Sequence, residues 1–249
     1  MIRVGIIGGS GLDDPDILRD AREIEADTPY GKPSSTIKSG KIGNTDVLIL
    51  ARHGRQHQFS PTQVNNRANI YALQVAGASH ILATTACGSL RQDIDRGHFV
   101  ILDQFIDFTR FRKNTFADSF AGGAVHTAMA HPFDENLRNN LYTSAQALDL
   151  RVHKSGCVVT IEGPRFSTVA ESKMFRLWGA DVINMSIAPE AMLANEAGIP
   201  YAAVAMSTDY DCWKEDEAPV TWDEILEVFN KNADNVKNLL VRTIENLSI

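Results

Sequence analysis

Residues 201–211 read YAAVAMSTDYD. Tyr201 to Ser207 are apolar or small, and the run passes without a break into Asp209 and Asp211. A short continuous apolar run of this kind reads as a strand buried on both faces. Such a strand sits inside a sheet that helices cover on either side. Two carboxylates one residue apart at its carboxyl end are not what a simple turn needs. On an extended backbone they point to the same side. Like charges so close, at the edge of an apolar sheet, raise the pKa of at least one of them.

Runs of the same character recur outward from this stretch: RVGIIGG (3–9), DVLILA (46–51), HILATTA (80–86), HFVILDQ (98–104), CVVTIEG (157–163) and ADVINMS (180–186). Helical patterns lie between several of them. One spans 61–77, with Ser60 as its N-cap, Pro61 in the first turn and Gly77 at its end. Others span 133–149, 167–178 and 189–198. The last, about 221–246, is amphipathic and starts near Thr221 or Asp223. Strands alternating with helices predict an α/β chain, with a central mixed, mainly parallel twisted sheet flanked by helices. No repeat or linker divides it, so residues 1–249 are expected to form a single domain. In such sheets ligands bind at the carboxyl ends of strands.

Composition narrows the partners. The chain has 249 residues, 44% hydrophobic and 22% charged, with a net charge of −7. An acidic balance argues against nucleic acid or an anionic membrane as the main partner. The three cysteines, Cys87, Cys157 and Cys212, are odd in number and scattered, a pattern of reducing compartments. The first apolar run is too short for a signal peptide or a membrane span. A cytoplasmic protein is expected.

The strand-end clusters supply the candidate chemistry. GGSGL (8–12) can offer backbone N–H groups and the Ser10 hydroxyl to an anion, or can be a tight turn. It fits neither G-x-G-x-x-G, since Asp14 stands where the third glycine would, nor the Walker pattern. LARHGRQHQF (50–59) gathers Arg52, His53, Arg55 and His57, either an oxyanion grip or an exposed basic loop. The spacing of His53 and His57 alone makes a weak zinc signature, with no inner Glu and no third ligand in view. In ATTACGSL (83–90), Thr84, Thr85 and Ala86 offer hydroxyls and N–H groups. Cys87, with no basic partner, reads as a small buried hydrophobe. In VTIEGPRFST (159–168), Phe166 can stack on a flat ring or fill a core, and Glu162 can pair with Arg165. In VINMSIAPE (182–190), Met185 suits a sugar or ring face, Ser186 adds a hydroxyl, and Glu190 begins a helix.

GGSGL, RHGRQH, TTACGSL, TIEGPRFST, GADVINMS, PEAMLANEAGI and MSTDYDCWKE, taken together and in order, resemble the methylthioadenosine phosphorylase family of the purine nucleoside phosphorylase superfamily. The resemblance runs from residue 4 to the last helix. It implies the nucleoside phosphorylase type I fold and phosphorolysis of 5′-methylthioadenosine. It implies a homotrimer working without metal or organic cofactor, with inorganic phosphate as co-substrate and a nucleoside as the other partner. Phosphate ligands carry over to Ser10, Arg52, His53, Thr85, Ala86 and Ser186. The ribose contact carries over to Met185. Phe166, Asp209 and Asp211 take the base contacts, with Ser167 beside them. His126 carries over as a residue reaching the methylthio end from a neighbouring subunit.

The chemistry fits these residues. Cleaving an N-glycosidic bond needs no protein nucleophile when phosphate attacks the sugar. The purine must leave neutral, so its N7 needs a proton, for which Asp209 is the candidate donor. Asp211 can accept from a 6-amino group, where a 6-oxo base would call for a donor. The chain departs from the family in having Ser at 10 and 186, where relatives often have Thr. It also has Trp222 where the family carries a small aliphatic residue and 6-oxopurine enzymes carry His. Trp222 therefore bears on the 5′ substituent. The alternatives are a phosphorylase acting on adenosine, inosine or methylthioinosine, and a non-catalytic nucleotide or anion sensor.

Overall fold

The computed structural model describes residues 2–9, 16–217 and 221–247. The strands are β1 (Arg3–Gly8), β2 (Arg19–Ile24), β3 (Ile37–Ile42), β4 (Thr45–Ala51), β5 (His80–Ser89), β6 (Phe99–Ile101), β7 (Gln104–Phe108), β8 (Val152–His153), β9 (Cys157–Ile161), β10 (Val182–Asn184) and β11 (Tyr201–Tyr210). The helices are α1 (Asn66–Val75), α2 (Glu135–Gln146), α3 (Val169–Leu177), α4 (Ile187–Glu196) and α5 (Trp222–Leu247). The described strands form one sheet in the order β2-β3-β4-β1-β5-β10-β9-β7, with β11 on β5 and β6, and β6 on β8.

The sheet is mixed and mainly parallel, as expected. β1 runs parallel to β4 and β5, β11 parallel to β5, and β9 parallel to β7 and β10. β2–β3–β4 form an antiparallel edge, and β6 and β10 meet β11 and β5 antiparallel. Neighbouring residues on the central strands go to opposite cores. Ile7, Leu48, Leu50, Ala83, Tyr201, Ala203 and Ala205 pack with Ile70 and Leu73 of α1 and Leu193 of α4. Ile6, Ile49, Leu82, Ala202, Val204 and Met206 pack with Leu141 of α2 and Phe229 and Leu240 of α5. Burial on both faces is why these strands are written as continuous apolar runs rather than alternating ones.

Helix starts follow local capping. Asp134 accepts from the Leu137 backbone N at 2.8 Å, and Thr168 and Glu171 form a reciprocal capping box at α3. The pattern expected over 61–77 is divided. Pro61–Gln63 forms a 3₁₀ turn, and α1 begins at Asn66 with Asn65 capping Ala68. Ser60 therefore bounds only the turn. α4 begins at Ile187, two residues before Pro189. β2 was not foreseen, because RDAREI is charged and almost wholly exposed. Its structure comes from pairing with β3, and its charges suit a sheet edge.

Candidate active site

The carboxyl ends of β4, β5, β9, β10 and β11 converge on a cavity of about 430 Å³. It is lined by Arg52, His53, Thr85, Ala86, Phe166, Ser167, Met185, Ser186, Asp209, Asp211 and Trp222. Of the predicted site residues, two are not in this set. Ser10 lies outside the described residues. His126 sits in an exposed segment, its ring 5.5 Å from Phe120, and does not line the cavity of its own chain.

One wall is built from the loop after β4. Arg52 is 1% exposed despite its charge. Its Nε and Nη2 donate to the Glu190 carboxylate at 2.5 and 3.0 Å, and its Nη1 donates to the Thr84 carbonyl at 2.8 Å. The Gly9 backbone N faces Thr84 Oγ1 at 3.4 Å. A Cβ at Gly9 would stand 2.5 Å from Arg52 Nη1, so only glycine leaves room for the guanidinium. His53 Nδ1 lies 2.8 Å from the Phe59 carbonyl, and its ring stacks on His57 at 4.6 Å. Among the described residues, no group of three or more His, Cys, Asp or Glu gathers as a metal site would need. Asn184 Nδ2 donates to Thr85 Oγ1 at 3.3 Å, and Ser186 stands at the N-cap of α4 without making a capping bond.

The opposite wall carries the acids. The pairing of β11 with β5 slips between Ser207 and Asp209, a bulge that re-aims the strand end. Thr208 Oγ1 donates to Asp209 Oδ1 at 2.7 Å. Burial pushes the Asp209 carboxyl up to about 6, the Thr208 hydroxyl opposes the rise, and the neighbouring Asp211 adds to it. Asp211 is anchored by its backbone N on the Ser89 carbonyl at 3.0 Å. Burial raises it too, against the hydroxyls of Ser172 and Ser167. The Ser167 and Ser172 hydroxyls and Asp211 Oδ2 are all buried together, and their mutual contacts fall short of good hydrogen-bond geometry. Burial, helped by Asp209, pushes the Cys87 thiol well up, which suits an inert buried side chain.

Phe166 is 46% exposed and Trp222 47% exposed, both at the cavity rim, with Trp222 5.9 Å from the His57 ring. Gly163 has φ +65°, and a Cβ there would meet Met185 Sδ at 2.4 Å. Glu162 does not pair with Arg165. It binds Arg112 at 2.9 Å and the Arg110 and Phe111 backbone N–H groups, while Arg165 pairs with Glu171. Burial would raise Glu162, but these bonds draw it down to about 2. The closer sequence neighbour lost because Glu171 already faces Arg165 from the first turn of α3. Sequence reading missed the pairing of Glu190 with Arg52, since nothing local links residues so far apart. It also passed over Thr208, whose position beside Asp209 was the available signal.

A cavity at the strand ends that gathers an arginine, hydroxyls, a thioether and two buried acids has the chemistry of a small-molecule site, with groups suited to an anion on one wall and groups suited to a polar ring on the other. A family model described as the phosphorylase superfamily matches residues 3–245. The chain is 54% identical over 251 residues to S-methyl-5′-thioadenosine phosphorylase of Xenopus tropicalis, covering 99% of this chain and 89% of that one. It is also 54% identical to that of Danio rerio, covering 98% and 88%. The methylthioadenosine phosphorylase from Schistosoma mansoni in complex with adenine superposes with a TM-score of 0.94 at 41% identity, covering 100% of this chain and 92% of that one. A mutant of adenosine/methylthioadenosine phosphorylase from the same organism, also with adenine, gives 0.92 at 41%, with the same coverage. The chain belongs to the phosphorylase superfamily and, within it, to the family of the S-methyl-5′-thioadenosine phosphorylases.

Proposed function

We propose that the chain catalyses phosphorolysis of 5′-methylthioadenosine to adenine and 5-methylthioribose-1-phosphate. The observation that carries the reading is a buried Asp209, its carboxyl pushed up to about 6 by burial, sharing one cavity with Arg52, Thr85 and Ser186. In this reading phosphate lies against Ser10, Arg52, His53, Thr85, the Ala86 N–H and Ser186. A phosphate oxygen bonds to the anomeric carbon as the bond from that carbon to purine N9 breaks, and N9 takes the electron pair. Asp209 supplies the proton at N7, so adenine leaves neutral. Asp211 accepts from the 6-amino group, Phe166 and Ser167 flank the base, and Met185 meets the ribose. The electrostatic task is to hold the anion beneath a sugar that becomes cationic as the bond opens.

The whole chain acts as one catalytic domain in a homotrimer, with His126 completing a neighbour's site. No metal or organic cofactor enters the scheme, and the setting is cytoplasmic. Among the described residues no helix is long and apolar enough to cross a membrane. The test is adenine release from methylthioadenosine with and without phosphate. Release that requires phosphate supports the proposal, and equal rates without it would mean hydrolysis. Adenosine is the second reading, favoured by the adenosine/methylthioadenosine enzyme among the relatives and by Trp222 at the rim, where a small aliphatic residue was expected. Comparing kcat/KM for the two nucleosides separates them.

A further inference from the structure

We infer that Glu190 is a positioning residue for the phosphate reaction, holding the Arg52 guanidinium in the one orientation from which it meets the attacking anion. The inference deepens the phosphorolytic reading above and depends on it. Glu190 lies in the first turn of α4, 0% exposed, and its carboxylate takes two bonds from Arg52, at 2.5 and 3.0 Å. Its Oε2 also accepts from the Tyr201 hydroxyl at 2.9 Å. Burial and the Glu190 charge push the Tyr201 hydroxyl well up, which keeps it a donor. The guanidinium is therefore fixed along its Nε/Nη2 edge by Glu190 and at Nη1 by the Thr84 carbonyl, with Gly9 leaving the room that Nη1 needs.

Stability is a weak reason for this arrangement. Removing two charges from water costs several kcal/mol each, and well-packed apolar side chains of similar volume serve a core at least as well. Placement is a stronger reason. Arg52 lines the cavity while Glu190 does not, so the carboxylate acts on any ligand only through the arginine. The fork geometry of a two-point Arg–carboxylate bond sets the plane of the guanidinium as well as its position. The pair is also electrically neutral. Arg52 then offers phosphate directed N–H groups rather than net charge, and orientation decides how well it grips.

The experiment compares Glu190→Gln, Glu190→Asp and Tyr201→Phe with the unaltered enzyme. Phosphate is varied at saturating methylthioadenosine, then the reverse, with thermal melts to confirm folding. Gln keeps one acceptor but turns an amide N–H₂ toward a guanidinium N–H. Asp keeps the charge but withdraws it by one methylene. Both should raise KM for phosphate roughly ten- to a hundredfold, the scale of losing a bond to a charged group, with KM for the nucleoside nearly unchanged. Tyr201→Phe should raise KM for phosphate severalfold in the same direction, and it decides the matter if neither Glu190 variant folds. Three results would overturn the inference: unchanged phosphate KM, equal losses toward both substrates, or a Gln variant that binds phosphate more tightly. The last would mean that Glu190 merely opposes the Arg52 charge. An unaltered enzyme indifferent to phosphate would instead remove the functional reading itself.

Discussion

Asp209 sits where burial makes ionising its carboxyl costly, and the consequence can be measured in two ways. Its folded value, about 6, is raised, so the native state holds its proton over a range in which the unfolded chain has lost it. Stability therefore falls as pH climbs from the ordinary carboxylate range through 6, by about 3 kcal/mol in all. Asp209→Asn removes this penalty. The melting temperature of that variant should gain on the parent between about pH 4 and pH 7, and a constant difference would count against a buried titrating group. The same proton serves catalysis in the proposed reaction. The alkaline limb of kcat/KM should begin near the Asp209 value, and Asp209→Ala should lower kcat by roughly a hundredfold or more. Asp211, buried beside the Ser167 and Ser172 hydroxyls, is given a different task in the proposed reaction. Asp211→Asn should move preference from 6-amino toward 6-oxo purines in a substrate panel, and an unchanged ranking would remove it from base reading.

Single elements hold these residues to tolerances that a side-chain contact alone would not. Gly163 follows β9 in a left-handed conformation, with Met185 so close that a Cβ would sit 2.4 Å from its sulfur. Gly163→Ala is expected to push Met185 into the cavity and raise KM for the nucleoside, with phosphate KM little changed, as read by the same two-substrate kinetics. On the far side of the sheet, Leu240 of α5 is fully buried among Ile6, Ile49 and Leu82. Leu240→Ala should cost about 2–5 kcal/mol by denaturant unfolding while leaving the cavity walls in place. Elements of this kind were legible in the sequence because a strand buried on both faces and an amphipathic helix each carry an unmistakable pattern. β2 was not, because its order is lent by β3. The start of α1 was misjudged because Ser60-Pro61 is as good a start for a 3₁₀ turn as for a helix. Asp209, Arg52 and Met185 stood out as polar or soft residues ending apolar runs. Glu190 did not, because its meaning depends on a partner 138 residues away that only the folded sheet brings near.

At the scale of the molecule, His126 does not line the cavity of its own chain and sits on a segment where Phe120 and Val125 are also exposed. If it completes a neighbour's site, sedimentation should find three chains together, and His126→Ala should raise KM for the nucleoside without altering the mass. A single-chain mass with full activity would refute both. β5 has a role beyond pairing. It touches β1, β10 and β11, and it brings Thr85, Ala86 and, beside Asp209, Gly88 into the cavity lining. Three residues of extended chain advance roughly 10 Å. A single strand thus serves as a gauge block between the end assigned to the nucleophile and the end assigned to the leaving group. Altered substrate preference can then come from exchanging side chains at the rim, such as Trp222. Altering the spacing between those two groups of residues would require recutting the sheet.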